Sequence, residues 1–115
     1  MIYHIAKLED FSLSTSQGSY FPGQFLQDGF IHCSTKNQVL AVANTWFLHS
    51  ENLVLLEIDE QMLNNDVKLE NLEGGQEMYP HIYGEISLAA IPRYSFLTPQ
   101  SSGFSFPTEW IEIEH

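Results

Sequence analysis

The run LVLLEI at residues 53–58 constrains the fold most, because its first four residues are all apolar. A strand without alternation of apolar and polar residues is typical of a sheet interior that is covered on both faces. We therefore expect a buried central strand here. Other short strands are expected at 2–6, 29–34, 67–71 (with Val67 and Leu69 facing inward), 80–91 (one or two strands around Gly84), 93–97 and 109–113 (anchored by Trp110). The residues EGGQE at 73–77 are expected to form a turn or a mobile loop.

The clearest helix is predicted over residues 35–48. Ser34 or Thr35 can cap it, and Thr35 with Gln38 has the spacing of a capping box. Its apolar residues recur at steps of three and four, which gives the helix one apolar face. A second, shorter helix is expected early in residues 8–28, followed by an ordered aromatic loop.

These elements predict an α+β domain with a small sheet core of about six or seven short strands and one or two main helices. Helices do not regularly separate the strands, which disfavours a doubly wound parallel sheet. The length of 115 residues falls within the usual size of one domain, and the sequence has no repeat or linker. We expect a single domain over residues 1–115.

The charge balance limits the partners, since 15 Asp and Glu stand against 4 Lys and Arg. Nucleic acids and acidic membranes are bound through clustered cations, so we expect neither as a partner and retain a small-molecule ligand. Cys33 is the only cysteine, so no internal disulfide can form. The N-terminus lacks a secretory pattern, and no apolar run approaches the ~20 residues of a membrane span. We expect a cytoplasmic protein and leave its oligomeric state open.

Two histidines lie in or beside predicted elements of the N-terminal half. His4 lies within the first strand, where it is either a half-buried histidine bonded to the backbone or a ligand-binding histidine facing a cleft. His32 lies in GFIHCS, just before the helix that begins near Thr35. The unpaired N–H groups at the start of this helix suit a phosphate or carboxylate, with His32, Ser34 and Thr35 around it. The equal alternative is that Ser34 or Thr35 only caps the helix and His32 packs.

The motif YPHIYG places His81 and Tyr83 two residues apart, so both side chains leave the same face of a strand. Such a pair can orient a ribose or a carbonyl, while Gly84 lets another group approach the backbone. Alternatively, Tyr83 packs and His81 is bonded to Glu70 or Glu85. Glu70 is also a candidate to orient a histidine or act as a base, although most strand glutamates are merely solvated.

A metal site made by His4, His32 and His81 has little support, because their spacing matches no short metal motif, and we predict none. The segments IYHIAK, GSYFPGQFLQDGFIHCS, VLLEID, VKLE and PHIYGEI appear in this order from about residue 2 onward. In order and spacing they resemble the DUF952 family of small, mostly bacterial proteins, and the pairing of GFIHCS with PHIYG is the specific part.

That family has been grouped by fold similarity with the ADP-ribosyltransferase-like superfamily. The resemblance therefore implies a split, curved β-sheet around a cleft in which NAD binds in the true transferases. It implies a ribose contact for His4, and a second contact for His32 or Tyr20. The transferases usually complete the site with a glutamate on a late strand. In the corresponding region this chain has His81, Tyr83 and Glu85.

The resulting hypothesis is a nucleotide-type ligand, with NAD as the candidate cofactor, in a histidine-lined cleft. The candidate catalytic residues are His32, His81, Glu70 and Glu85. The candidate ligand-binding residues are His4, Tyr20, Ser34, Thr35, Tyr83 and Gly84. The chemistry is ADP-ribosyl transfer or glycosidic cleavage. The alternative is a non-catalytic binding module on the same fold, so whether the domain is an enzyme is left open.

Overall fold

A computed structural model describes residues 1–71 and 75–114 of the chain. Its strands are β1 (Ile2–Lys7), β2 (Ser19–Tyr20), β3 (Ile31–His32), β4 (Leu53–Ile58), β5 (Val67–Glu70), β6 (Tyr79–Ile82), β7 (Ile86–Ser87), β8 (Arg93–Leu97) and β9 (Ile111–Glu112). Its helices are α1 (Leu8–Gln17), α2 (Phe25–Asp28) and α3 (Lys36–Trp46), and single 3₁₀ turns follow β4 and β7. Antiparallel sheets together with three helices confirm the α+β class.

The larger sheet is antiparallel, with strand order β1-β4-β8-β9. All six residues of β4 are buried, which confirms the central strand expected from its apolar run. Alternate residues of β1 and β4 enter two separate hydrophobic clusters, one of which packs against α3. Both faces of this sheet are therefore covered.

A second sheet has strand order β3-β6-β5, and β2 pairs with β7 as a short ribbon. The two main sheets meet at one point, where Tyr3 and Ser34 exchange two backbone hydrogen bonds of 2.8 Å. The core is thus a split sheet whose halves are joined beside β3. This junction fixes the position of His32, which lies two residues before Ser34.

Helix α3 begins with the expected capping box, in which Thr35 and Gln38 satisfy each other's backbone N–H groups. Helix α1 ends at Gly18, which adopts a left-handed φ of 82°. None of the helices in the described part of the chain is long and apolar enough to cross a membrane.

A partly buried ion pair ties the larger sheet together. The Glu57 carboxylate accepts two hydrogen bonds from the Arg93 guanidinium, at 2.9 and 3.0 Å, and a third from the Tyr3 hydroxyl at 3.0 Å. Burial and the bond to Glu57 raise the pKa of Tyr3 to about 12. Burial alone would raise the pKa of Glu57, but the bonds from Arg93 and Tyr3 outweigh burial and lower it. The Trp110 ring lies 4.4 Å from the Arg93 guanidinium.

Several expected elements differ from the structure. Val67 and Leu69 were both expected to face inward. Val67 packs against the core, as expected, but Leu69, two residues further on the same face, is 62% exposed because the core cluster does not extend to it. The strand expected at 29–34 is only Ile31–His32, and that expected at 109–113 is only Ile111–Glu112. Trp110 precedes the latter strand and packs on Arg93 as an anchor. Residues 73 and 74 of the expected turn lie outside the described residues.

Candidate functional site

One face of the smaller sheet gathers most of the polar and aromatic candidates. His32 of β3 lies opposite His81 of β6, and His81 lies opposite Lys68 of β5. Side chains two residues apart along a strand lie on the same face of the sheet. Glu70, two residues after Lys68, and Tyr83, two residues after His81, therefore lie on this face as well. We call the following six residues the histidine face: Phe30, His32, Lys68, Glu70, His81 and Tyr83.

Glu70 is the centre of the polar contacts on this face. Its Oε1 accepts hydrogen bonds from Nδ1 of His81, at 3.0 Å, and from the hydroxyl of Tyr83. Both bonds lower the pKa of Glu70, and the bond from Tyr83 has the larger effect. The bond between Tyr83 and Glu70 also raises the pKa of Tyr83. Glu70, and not Glu85, is therefore the carboxylate bonded to His81.

Four rings pack together beside this carboxylate. The Phe30 ring is stacked on the His81 imidazole, with centroids 4.2 Å apart and planes 28° apart. Its centroid lies 4.6 Å from that of His32 and 5.4 Å from that of Tyr83. His81 is buried beneath this layer, whereas His32 is exposed. The face thus presents the half-buried rings of Phe30 and Tyr83 and the exposed ring of His32, with the Glu70 carboxylate beside them.

A second carboxylate holds His32. The Oδ2 atom of Asp28 lies 2.9 Å from Nε2 of His32, and Asp28 is the last residue of α2. Gly29 follows with a left-handed φ of 78°, which turns the chain from α2 into β3. Sequence reasoning missed both Asp28 and Phe30. Their signals were the four-residue step from Asp28 to His32 and the two-residue step from Phe30 to His32.

His4 lies behind the histidine face and contacts it only through the backbone. Its Nδ1 donates to the carbonyl oxygen of His32 at 2.5 Å, and its Nε2 accepts from the hydroxyl of Tyr20 at 2.8 Å. A carbonyl can only accept, which assigns these roles. Burial lowers the pKa of His4 to about 4, so the ring is neutral at pH 7. The structure gives His4 and Tyr20 a role in supporting β3, and both ring nitrogens of His4 already have partners.

The residues expected around a phosphate at the start of α3 have internal contacts of their own. Ser34 is buried, and its backbone forms the junction with Tyr3. Thr35 is engaged with Gln38 in the capping box. Thr35 thus caps the helix, which is one of the expected alternatives, while the backbone of Ser34 joins the two sheets.

Glu85 lies apart from the histidine face. Its Oε2 accepts a hydrogen bond of 3.2 Å from Ser19. Gly84 has a φ of 154°, and the Asn65 side chain packs where a Cβ of residue 84 would stand. Glu85 lines a shallow polar pocket of about 390 Å³, and none of the six histidine-face residues lines it. Glu70 and Glu85 therefore belong to different surfaces.

No group of three metal-ligating side chains comes together within residues 1–71 and 75–114. In particular, His4, His32 and His81 do not converge as ligands. Cys33 is buried, and burial raises the pKa of its thiol. A buried, protonated thiol is a poor nucleophile, which leaves the histidines and Glu70 as the chemically competent groups.

The model of the DUF952 family, described as a protein of unknown function, matches residues 5–94. The chain belongs to the DUF952 family. Its fold is similar to a crystal structure of CC0527 from Caulobacter crescentus, with 32% identity, a TM-score of 0.79 and 90% of each chain covered. The solution NMR structure of CC0527 is similar at 32% identity and a TM-score of 0.77, covering 90% of this chain and 89% of that one. No curated protein matches the chain.

All six residues of the histidine face fall within the part of the chain that the DUF952 model covers. The family description and the names of the similar structures state no activity. The comparisons therefore establish the family of the chain and the fold that it shares with CC0527.

Proposed function

We propose that this DUF952 domain is ADP-ribosyltransferase-like in architecture and binds a nucleotide-type small molecule, such as NAD or ADP-ribose, on its histidine face. The split sheet supports this architecture, because its two halves meet at β3 beside the ring cluster. The exposed aromatic surface around Phe30 and His32 suits a planar heterocycle, since flat rings stack favourably on one another.

The observation that carries the proposal is the placement of Glu70. It is an ionised carboxylate held by His81 and Tyr83 at the edge of an aromatic surface. Cleavage of a glycosidic bond develops positive charge at the anomeric carbon, and a fixed carboxylate stabilises that charge. Lys68, whose Nζ lies 5.0 Å from the Tyr83 ring centroid, supplies one cation for a ligand phosphate. Glycosidic cleavage of the bound ligand is the chemistry we propose.

A non-catalytic binding module is the second candidate, and one observation favours it. Glu70 Oε1 is already occupied by two donors, and Glu85 lies on another surface. Only one oxygen of Glu70 would then face a reacting carbon. Under either candidate we propose a single cytoplasmic domain without a nucleic-acid or membrane partner, since the net charge is −11.

A thermal-shift titration with NAD and ADP-ribose tests the binding claim. Ligand at ~100 times its Kd adds roughly 2.7 kcal/mol of stability, which moves the midpoint of a domain this size by several degrees. The His32→Ala variant should lose the shift. The His49→Ala variant, which removes an exposed histidine near the end of α3, should keep it. Absence of a shift in the wild type, or an equal shift in His32→Ala, would contradict the proposal.

Release of the heterocycle from bound NAD separates the two candidates. If the domain is catalytic, Glu70→Gln abolishes release while Glu51→Gln, a change at an exposed glutamate off the face, leaves it intact. If wild-type protein binds NAD but releases nothing, the binding module is the correct candidate.

A further inference from the structure

We propose that His81 is a general base that takes a proton from water through its Nε2 atom, so that water is the acceptor in the proposed cleavage. The inference rests on the proposed function, because the ligand on the histidine face supplies the electrophilic carbon. It goes further in assigning the base, the acceptor and the direction of proton transfer.

The first step is the tautomer of His81. Its Nδ1 lies 3.0 Å from Oε1 of Glu70, which can only accept a hydrogen bond when ionised. The hydrogen of neutral His81 therefore resides on Nδ1. Nε2 carries the lone pair, which is the arrangement that a general base requires.

The second step is the access of water to Nε2. The His81 side chain is only 3% exposed. Within residues 1–71 and 75–114, however, no buried side-chain nitrogen or oxygen lacks a hydrogen-bond partner. Glu70 is the hydrogen-bond partner of His81, and it bonds Nδ1. Nε2 is consequently not completely enclosed, while the stacked Phe30 ring covers the face of the imidazole.

The third step is the electrostatic setting of the imidazole. Glu70 and Lys68 approach from β5, and His32, itself held by Asp28, approaches from β3. Tyr83 lies two residues after His81, just beyond the end of β6. The anionic Glu70 is in direct contact and compensates the charge that His81 gains on taking a proton. Glu70 is thus a positioning residue for the base as well as a carboxylate near the ligand.

The chemical step balances without a further reactant. The oxygen of water bonds to the anomeric carbon while its proton passes to Nε2 of His81. The electron pair of the broken carbon–nitrogen bond leaves with the heterocycle and, for a pyridinium such as that of NAD, neutralises its ring. His81 then returns the proton to solvent.

Nitrogen NMR of histidine-labelled protein tests the tautomer without any ligand. In the wild type, neutral His81 should carry its hydrogen on Nδ1. In Glu70→Ala it should shift toward the Nε2–H form, which predominates in an unconstrained imidazole. Tyr83→Phe, which leaves the His81–Glu70 bond in place, should keep the wild-type tautomer. An Nε2–H form in the wild type would overturn the inference while leaving ligand binding untouched.

Hydrolysis of NAD then tests the role. His81→Gln should lower kcat by about 10²–10⁴-fold, with NAD binding retained in the thermal-shift assay. His49→Gln is the matched control and should behave as wild type. Hydrolysis at the wild-type rate by a folded His81→Gln variant would overturn the inference and leave the proposed function standing. Failure of the wild type to bind NAD would overturn the proposed function and the inference with it.

Discussion

Acidification should destabilise this domain through His4 before its carboxylates begin to protonate. Burial lowers the pKa of His4 from 6.5 to about 4 in the folded state, with the hydrogen bond to His32 opposing that shift. The unfolded state therefore binds a proton between these two pH values that the folded state does not. Stability must fall as pH falls through this window, because the unfolded state takes up more protons.

The magnitude follows from the two pKa values. The full difference corresponds to roughly 3.4 kcal/mol, lost between about pH 6.5 and pH 4. Between pH 7 and pH 5 alone, about 1.8 kcal/mol should disappear. Protonation would also turn Nε2 into a donor facing the Tyr20 hydroxyl, which now donates to it.

The assay is urea unfolding followed by tryptophan fluorescence at several pH values, for the wild type and His4→Gln. The glutamine variant loses stability at pH 7 but has no group that titrates in this window, so subtraction isolates the contribution of His4. A difference between the two proteins that narrows by about 1.8 kcal/mol from pH 7 to pH 5 is the expected result. A difference that stays constant with pH would refute the assignment of His4 as a buried neutral histidine.

Two further substitutions test the backbone and the ion pair. Gly84→Ala should destabilise by ~1–3 kcal/mol, since φ is 154° and the new Cβ would lie 2.5 Å from Asn65 Cγ. Gly23→Ala, where a Cβ meets nothing within 4 Å, should stay within ~0.5 kcal/mol of the wild type in the same thermal melt. Arg93→Met should cost ~1–3 kcal/mol in urea unfolding at pH 7, because Glu57 loses its charged partner, and an unchanged midpoint would contradict that role.

The main elements of the fold were predictable from local pattern. The uninterrupted apolar run of β4 identified a strand covered on both faces, and the Thr35–Gln38 spacing identified the start of α3. Alternation placed Val67 and Leu69 on one face, and Val67 does pack against the core. The exposure of Leu69 was not predictable, because alternation does not state how far the core extends along a strand.

The candidate site was predictable only in part. The two-residue step from His81 to Tyr83 placed them on one face, and Glu70 was a named partner. The choice between Glu70 and Glu85 depends on the strand register and on the turn at Gly84, neither of which a local pattern contains. The burial of His4 likewise results from long-range packing.

Backbone amide NMR of the labelled protein titrated with ADP-ribose tests the central claim most directly. ADP-ribose should shift the amide resonances of residues 28–32, 67–70 and 79–83, which surround the histidine face, with smaller changes elsewhere. Saturable shifts confined to residues 17–19, 62–65 and 85–87, which surround the polar pocket, would place the ligand on the wrong surface and contradict the account. Absence of any saturable shift would contradict nucleotide binding itself.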